Sequence, residues 1–332
     1  MRHPAIPWTL TVLLGLYVFA LEYYAEHREP PDPSIAFYDT TQVRVQVHAP
    51  EVPPEMYLYA QFNNILEGKR QIVRATGEAG RYCLRFLVNS PRPAVLYVND
   101  EPLEIFLVPG DTTLRVDLHW AAPYDRIDSV QFLGVNADIC AYYQAKTVRF
   151  EQVHLRATRH TVTSGDLKGY ASLLDSMAIQ ELAFVAEREA FSSLPSWFAL
   201  FEKNEILYQR AYLKLSAAYN RPVDPQLLDR PPINNSGAVF SYYYYLYLNA
   251  YFAQLEGDSL PAVNYRKQIE RHMALADSLL SNGPRDVFMT RVIFQYLNQN
   301  RRELANALFR RYRSSFSRPK YVRFLEAQLA KS

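Results

Sequence analysis

Val130-Gln131-Phe132-Leu133-Gly134-Val135-Asn136-Ala137-Asp138-Ile139-Cys140-Ala141-Tyr142-Tyr143 is where the sequence changes its period. Upstream of Gly134 apolar residues recur every second position. Val43, Val45 and Val47 alternate with Gln42, Arg44 and Gln46, as a half-buried strand requires. Further extended segments are expected at 56–62, 70–75, 82–88, 94–98, 103–108, 113–118 and 130–133. Each is rich in β-branched or aromatic residues and bounded by Gly, Pro, Asn or Asp. Downstream, apolar residues recur at three and four, predicting helices over 137–150, 167–190, 194–219, 237–255, 262–280, 286–299, 301–314 and 320–330. Punctuation at Ser164-Gly165, Pro195, Pro222, Pro231-Pro232, Pro261, Gly283-Pro284 and Pro319 separates them, and Asp166 is placed to cap the second.

The expected fold is therefore α+β. An N-terminal antiparallel β-sandwich of immunoglobulin-like topology (38–134) precedes an all-α domain of helical hairpins (135–332). Neither a nucleotide-binding α/β fold nor a tetratricopeptide array is expected, because the Gly-rich turn of the first and the repeat signature of the second are missing.

Ahead of the strands, Arg2 and His3 precede an uncharged, mostly apolar run from Ala5 to Leu21, and Glu22, Glu26 and Arg28 restore charge. Residues 1–25 read as a cleaved signal peptide or a retained anchor, and the Pro-rich stretch in 26–37 as a linker. Either way the remainder is expected outside the cytoplasm, in the periplasm or cell envelope. Its contact with membrane would be confined to the N-terminal segment, with 5–21 anchoring it in the inner membrane if retained.

With 332 residues, 49% of them apolar, the chain can bury a large core without staples. A formal net charge of +2 with no sustained basic run argues against nucleic acid as a partner. Cys83 and Cys140 form no Cys-x-x-Cys motif, and in an oxidising compartment they are candidates for a single disulfide or for two free thiols. The histidines make no His-Glu-x-x-His, and the sequence has neither a Gly-x-Ser-x-Gly elbow nor a P-loop, so no catalytic residue, metal or cofactor is expected. The tyrosine-rich run 241–252 has two readings. It is either a central helix packed on most sides or a stacking surface for sugars or small ligands through Tyr242, Tyr245 and Tyr247.

Two patterns resemble known systems. Asp followed by Ser or Thr and a small, aliphatic or Thr residue occurs six times, at Thr40, Thr112, Ser129, Ser176, Ser259 and Ser278. This is similar to the O-glycosylation sequon of exported Bacteroidota proteins, although Asp-Ser/Thr also begins helices and turns. Ile105-Phe106-Leu107-Val108-Pro109-Gly110-Asp111-Thr112, followed by Val130-Gln131-Phe132-Leu133-Gly134-Val135-Asn136-Ala137, resembles the N-terminal β-domain of Bacteroidota TlpA-like disulfide reductases. The helical part is similar as well, at Phe198-Ala199-Leu200-Phe201-Glu202-Lys203-Asn204-Glu205-Ile206-Leu207-Tyr208, Gly237-Ala238-Val239-Phe240-Ser241-Tyr242-Tyr243-Tyr244 and Arg285-Asp286-Val287-Phe288-Met289-Thr290. Those proteins continue into a thioredoxin domain with a Trp-Cys-x-x-Cys motif that no position here matches, so disulfide reductase activity is not implied. The resemblance implies a non-catalytic accessory module of the envelope that engages a protein partner. Two alternatives stand beside it: docking to a separate thioredoxin-fold reductase, and glycan or small-ligand binding through the tyrosine-rich helix.

Overall fold

A computed structural model describes residues 41–331 apart from 51–56, 65, 67–68, 111–112, 122–125, 135, 164–165, 192–193, 219–223 and 256–264. The signal or anchor (1–25), the linker (26–37) and the candidate glycosylation positions Thr40, Thr112 and Ser259 lie outside the described residues.

Nine strands come first among the described residues: β1 (Thr41–His48), β2 (Leu58–Asn64), β3 (Lys69–Arg74), β4 (Thr76–Glu78), β5 (Arg81–Val88), β6 (Arg92–Val98), β7 (Glu101–Leu107), β8 (Thr113–Ala121) and β9 (Arg126–Gly134). They form a five-stranded sheet, β4-β5-β1-β8-β9, and a four-stranded sheet, β3-β2-β6-β7. The alternation in β1 is realised residue by residue: Val43, Val45 and Val47 are buried, while Arg44 and Gln46 face out. Phe62 of β2 meets Phe86 of β5 edge-on at 5.6 Å, joining the inner faces of the two sheets.

The expectation of a purely antiparallel arrangement is corrected. β1 pairs antiparallel with β5 but parallel with β8, through Arg44–Thr113 to His48–Asp117. A period of two fixes which face of a strand is buried and leaves the direction of its neighbours open. Tight connections are set by local chemistry. Asn99 and Asp100, with φ of 48° and 69°, make the two-residue turn between β6 and β7 that a twisted hairpin favours. Gly134, at φ 109°, ends β9 so close to β8 that an added Cβ would lie 2.6 Å from the Thr113 carbonyl oxygen, so only glycine fits where strand gives way to helix.

Eight α-helices follow among the described residues: α1 (Ala137–Thr163), α2 (Leu167–Phe191), α3 (Ser196–Ala217), α4 (Tyr242–Leu255), α5 (Tyr265–Leu279), α6 (Asn282–Asn298), α7 (Arg302–Tyr312) and α8 (Pro319–Lys331). Successive helices pack against one another, and α6 also touches α8. Asp166 caps α2 as expected, its carboxylate accepting the Gly169 N–H at 2.9 Å. Two of the boundaries that differ from the pattern reading have local causes. Helix α1 runs thirteen residues past Phe150, through a stretch too polar to show periodicity. Gly283-Pro284 lies inside the first turn of α6 rather than before it, a position where proline loses no helical hydrogen bond. Among the described residues no helix is long and apolar enough to cross a membrane.

The hydrophobic core is continuous from strands to helices. One cluster includes Val45, Phe86 and Ile105 from the sheets together with Cys140, Phe198, Phe252 and Ile293 from the helices. The joint is β7 against α1 and α3. Phe106, fully buried, stacks on Tyr143 at 5.6 Å and meets Phe198 and Phe201 edge-on at 5.4 and 5.6 Å.

Candidate functional site

The same joint opens into a cleft. Because α1 starts immediately after β9 and lies across β7, residues two helical turns apart descend on that strand. The Cys140 sulfur accepts the Phe106 N–H at 3.3 Å, and the Thr147 hydroxyl donates to Glu104 at 2.7 Å. Helix α3 contributes Glu202, Glu205 and Gln209 at three- and four-residue spacing, so they form one polar stripe beside Phe198 and Phe201. From α4 come Tyr242 and Tyr243. Two contiguous hollows result, of about 530 and 430 Å3, which share Pro93, Glu104, Glu205 and Tyr243 in their walls.

The floor is an ionic lattice. Glu202 is 1% exposed; it accepts hydrogen bonds from the Tyr143 hydroxyl at 2.9 Å, the Tyr142 hydroxyl at 3.3 Å and the Lys146 ammonium. Lys146 also lies 3.5 Å from the buried Glu181. Burial opposes the charge on Lys146, but Glu202 and Glu181 outweigh it and hold the ammonium above the ordinary lysine range. Arg92, buried beneath the larger hollow, is held by the Asn63 carbonyl at 2.9 Å and the Asn89 side chain at 2.6 Å.

Glu205 is the responsive group. It accepts the Tyr242 N–H at 2.9 Å and a hydrogen bond from Ser241. Burial first, and the charge of Glu202 second, push its carboxyl up from the usual 4.5 to about 7. Near neutral pH it can therefore donate or accept a hydrogen bond. Around it stand Glu104, Gln209 and Tyr243, whose hydroxyl accepts from Gln209 at 3.0 Å and whose own ionisation burial pushes up to about 12. This arrangement offers directional partners to hydroxyl and amine groups beside the flat face of an aromatic ring.

Glu205 also predicts a pH effect. A carboxyl with a folded pKa above its unfolded value favours folding when protonated, so its contribution is complete below about pH 4.3 and is lost as pH rises through about 7. Since the cleft lets water reach part of the group, Glu205→Gln is expected to gain about 1–3 kcal/mol on wild type between pH 5 and pH 8. Urea unfolding of both proteins at the two pH values measures it. A difference between variant and wild type that stays constant with pH would contradict the environment described for Glu205.

The residues expected from sequence fall in several places. Tyr242 is 37% exposed and reaches the cleft wall. Tyr242 and Tyr245 flank the buried guanidinium of Arg291, at 5.5 and 3.6 Å from their ring centres. Tyr247 is buried, its ring against Tyr208 and Tyr251, so the three tyrosines do not share one surface. The candidate disulfide is not formed. Cys83 is half-buried on the outer face of the five-stranded sheet, whereas Cys140 is buried against β7, where burial pushes its thiol up to about 12. Ser129, Ser176 and Ser278 are exposed, in β9, α2 and α5. Among the described residues no group of three His, Cys, Asp or Glu side chains is placed to hold a metal ion. Sequence reasoning missed Glu104, Lys146, Glu202, Glu205, Gln209 and Tyr243. The signal for three of them was present in the three- and four-residue spacing of Glu202, Glu205 and Gln209 along α3. No protein-family model matches this chain, and no curated protein matches it.

Proposed function

We propose that this chain is a non-catalytic exported envelope protein that binds a ligand bearing hydroxyl and amine groups, of the amino-sugar kind, in the cleft between the four-stranded sheet and helices α1, α3 and α4. One observation carries the reading. Glu104, Glu205, Gln209 and Tyr243, drawn from a strand and two helices, converge on one hollow around a carboxyl that is half-protonated near neutrality. Directional polar groups beside an aromatic face suit a saccharide, and in the smaller hollow, where Glu104, Glu202 and Glu205 outnumber Lys146, the carboxylates suit an amine. The two sheets are read as the layers of an immunoglobulin-like sandwich, in which the parallel β1–β8 pair is a departure. Kinship with the accessory region of TlpA-like proteins is proposed on the resembling sequence segments alone.

The test is thermal unfolding of the purified protein with a glucosamine trimer, its N-acetylated counterpart and a galacturonate trimer. The glucosamine trimer is expected to raise Tm, and Gln209→Ala with Tyr243→Ala to weaken its binding by about tenfold or more, roughly 1.4 kcal/mol. The acidic trimer should leave Tm unchanged. Indifference to all three saccharides, or stabilisation that survives both substitutions, would remove the cleft from consideration.

A further inference from the structure

The outer face of the five-stranded sheet carries a second feature, independent of the cleft. The strand registers place its outward residues in rows. Glu78, Arg81, His48 and Asp117 form one row, Thr76, Cys83, Gln46, Arg115 and Leu133 the next, and Arg85, Arg44 and Thr113 the third. Gln46 and Cys83 are thus ringed by Arg44, Arg81, Arg85 and Arg115, and together with Arg81 and Arg115 they line a shallow hollow of about 600 Å3. Arg44 stands directly opposite Arg85, a like-charged cross-strand pair of a kind that costs stability. Arg115 is held by Asp117 at 2.7 Å, and Arg44 donates to Gln42 at 3.2 Å. Among the described residues no carboxylate pairs with Arg44, Arg81 or Arg85. Two leucines extend the same face, Leu87 on β5 at 62% exposure and Leu133 on β9 at 37%.

We propose that this face docks an acidic, partly apolar extended segment of a partner protein. Guanidinium forks match carboxylates in bidentate geometry, which supplies the charge complement that Arg44 and Arg85 lack among the described residues. The lattice of the sheet selects a polypeptide. Arg81 and Arg85 lie four residues apart along β5, roughly 13 Å, the distance between residues i and i+4 of another extended chain. Leu87, two residues beyond Arg85 on the same face, and Leu133, opposite Arg115, fit apolar side chains that share one face of the segment with its acidic ones. Glu78 and Asp117 within the same rows repel a continuous polyanion, which disfavours a phosphate polymer.

The half-buried Cys83 thiol at the centre of the ring is a built-in reporter, and buried Cys140 an internal control. A fluorescent peptide of Glu-Ser-Leu-Ser repeats, which puts Glu and Leu by turns on one face of an extended chain, is the probe, with its Lys-for-Glu counterpart and polyphosphate of matched charge as the other arms. The acidic peptide is expected to bind by anisotropy and to slow iodoacetamide alkylation of Cys83 by about fivefold or more in low salt, the effect fading as salt rises. Arg44→Glu with Arg85→Glu should abolish both readouts while leaving the unfolding curve in place, and Arg85→Gln should weaken them. Undiminished alkylation with the peptide, or equal protection in the double variant, overturns the proposal. Stronger protection by polyphosphate than by the peptide overturns the assignment to a protein segment.

Discussion

Replacing Lys146 with methionine is expected to destabilise the protein by about 3–5 kcal/mol, the largest effect of any single charge change in the cleft. Methionine keeps most of the length and apolar stem of lysine, so the loss is chiefly electrostatic. Without the ammonium, Glu202 at 1% and Glu181 at 3% exposure lose the cation that bridges them. Glu202 would keep its two tyrosine hydroxyl donors, which stabilise the charge but do not neutralise it. Adding Glu202→Gln to Lys146→Met removes one of the two carboxylates, and the pair is expected to recover more than half of the loss. Chemical denaturation of wild type, both single variants and the double variant gives the coupling energy. Losses that simply add, with no recovery in the double variant, would show that the lattice does not depend on the Lys146 bridge.

How much of this could be read from sequence divides along a physical line. Whatever depends on near neighbours was legible. The alternation of Val43, Val45 and Val47 named a strand, the restart at Ala137 after Gly134 named a helix, and Asp166 named its own cap. The three-residue β4 was not, since all of its residues are exposed and give no apolar signal. Nor was the parallel pairing of β1 with β8, because it joins residues some seventy positions apart whose inward faces read the same in either direction. The cleft was hidden for the same reason. Glu104, Lys146, Glu202 and Tyr243 come from four elements, and nothing local to any of them states that they meet. The tyrosine run misled in a specific way. Its composition is aromatic on all sides, and only the packing of α4 against α3 and α6 sends Tyr242 and Tyr245 to Arg291 and Tyr247 into the core.

Phe106→Ala is expected to cost about 3–5 kcal/mol and, more tellingly, to loosen the strands from the helices. The ring sits at the one place where β7, α1 and α3 share an aromatic contact, touching Tyr143, Phe198 and Phe201 while its backbone N–H is taken by Cys140. Deleting it leaves a cavity between two rigid layers, which can relax only by moving the whole of α3 toward the sheet. Phe106→Leu fills most of that space and should cost no more than about 1.5 kcal/mol. Because the core runs unbroken through this joint, amides of β1, β5 and β8 and those of α3, α4 and α6 are expected to lose hydrogen-exchange protection together in wild type. In Phe106→Ala the helix amides should open at lower denaturant than the strand amides, since the sheets retain their own inner-face contact through Phe62 and Phe86. Were wild-type strands and helices to lose protection at separate denaturant concentrations, the joint would be an abutment of two independent bodies. A cleft walled by both would then have no fixed geometry with which to recognise anything.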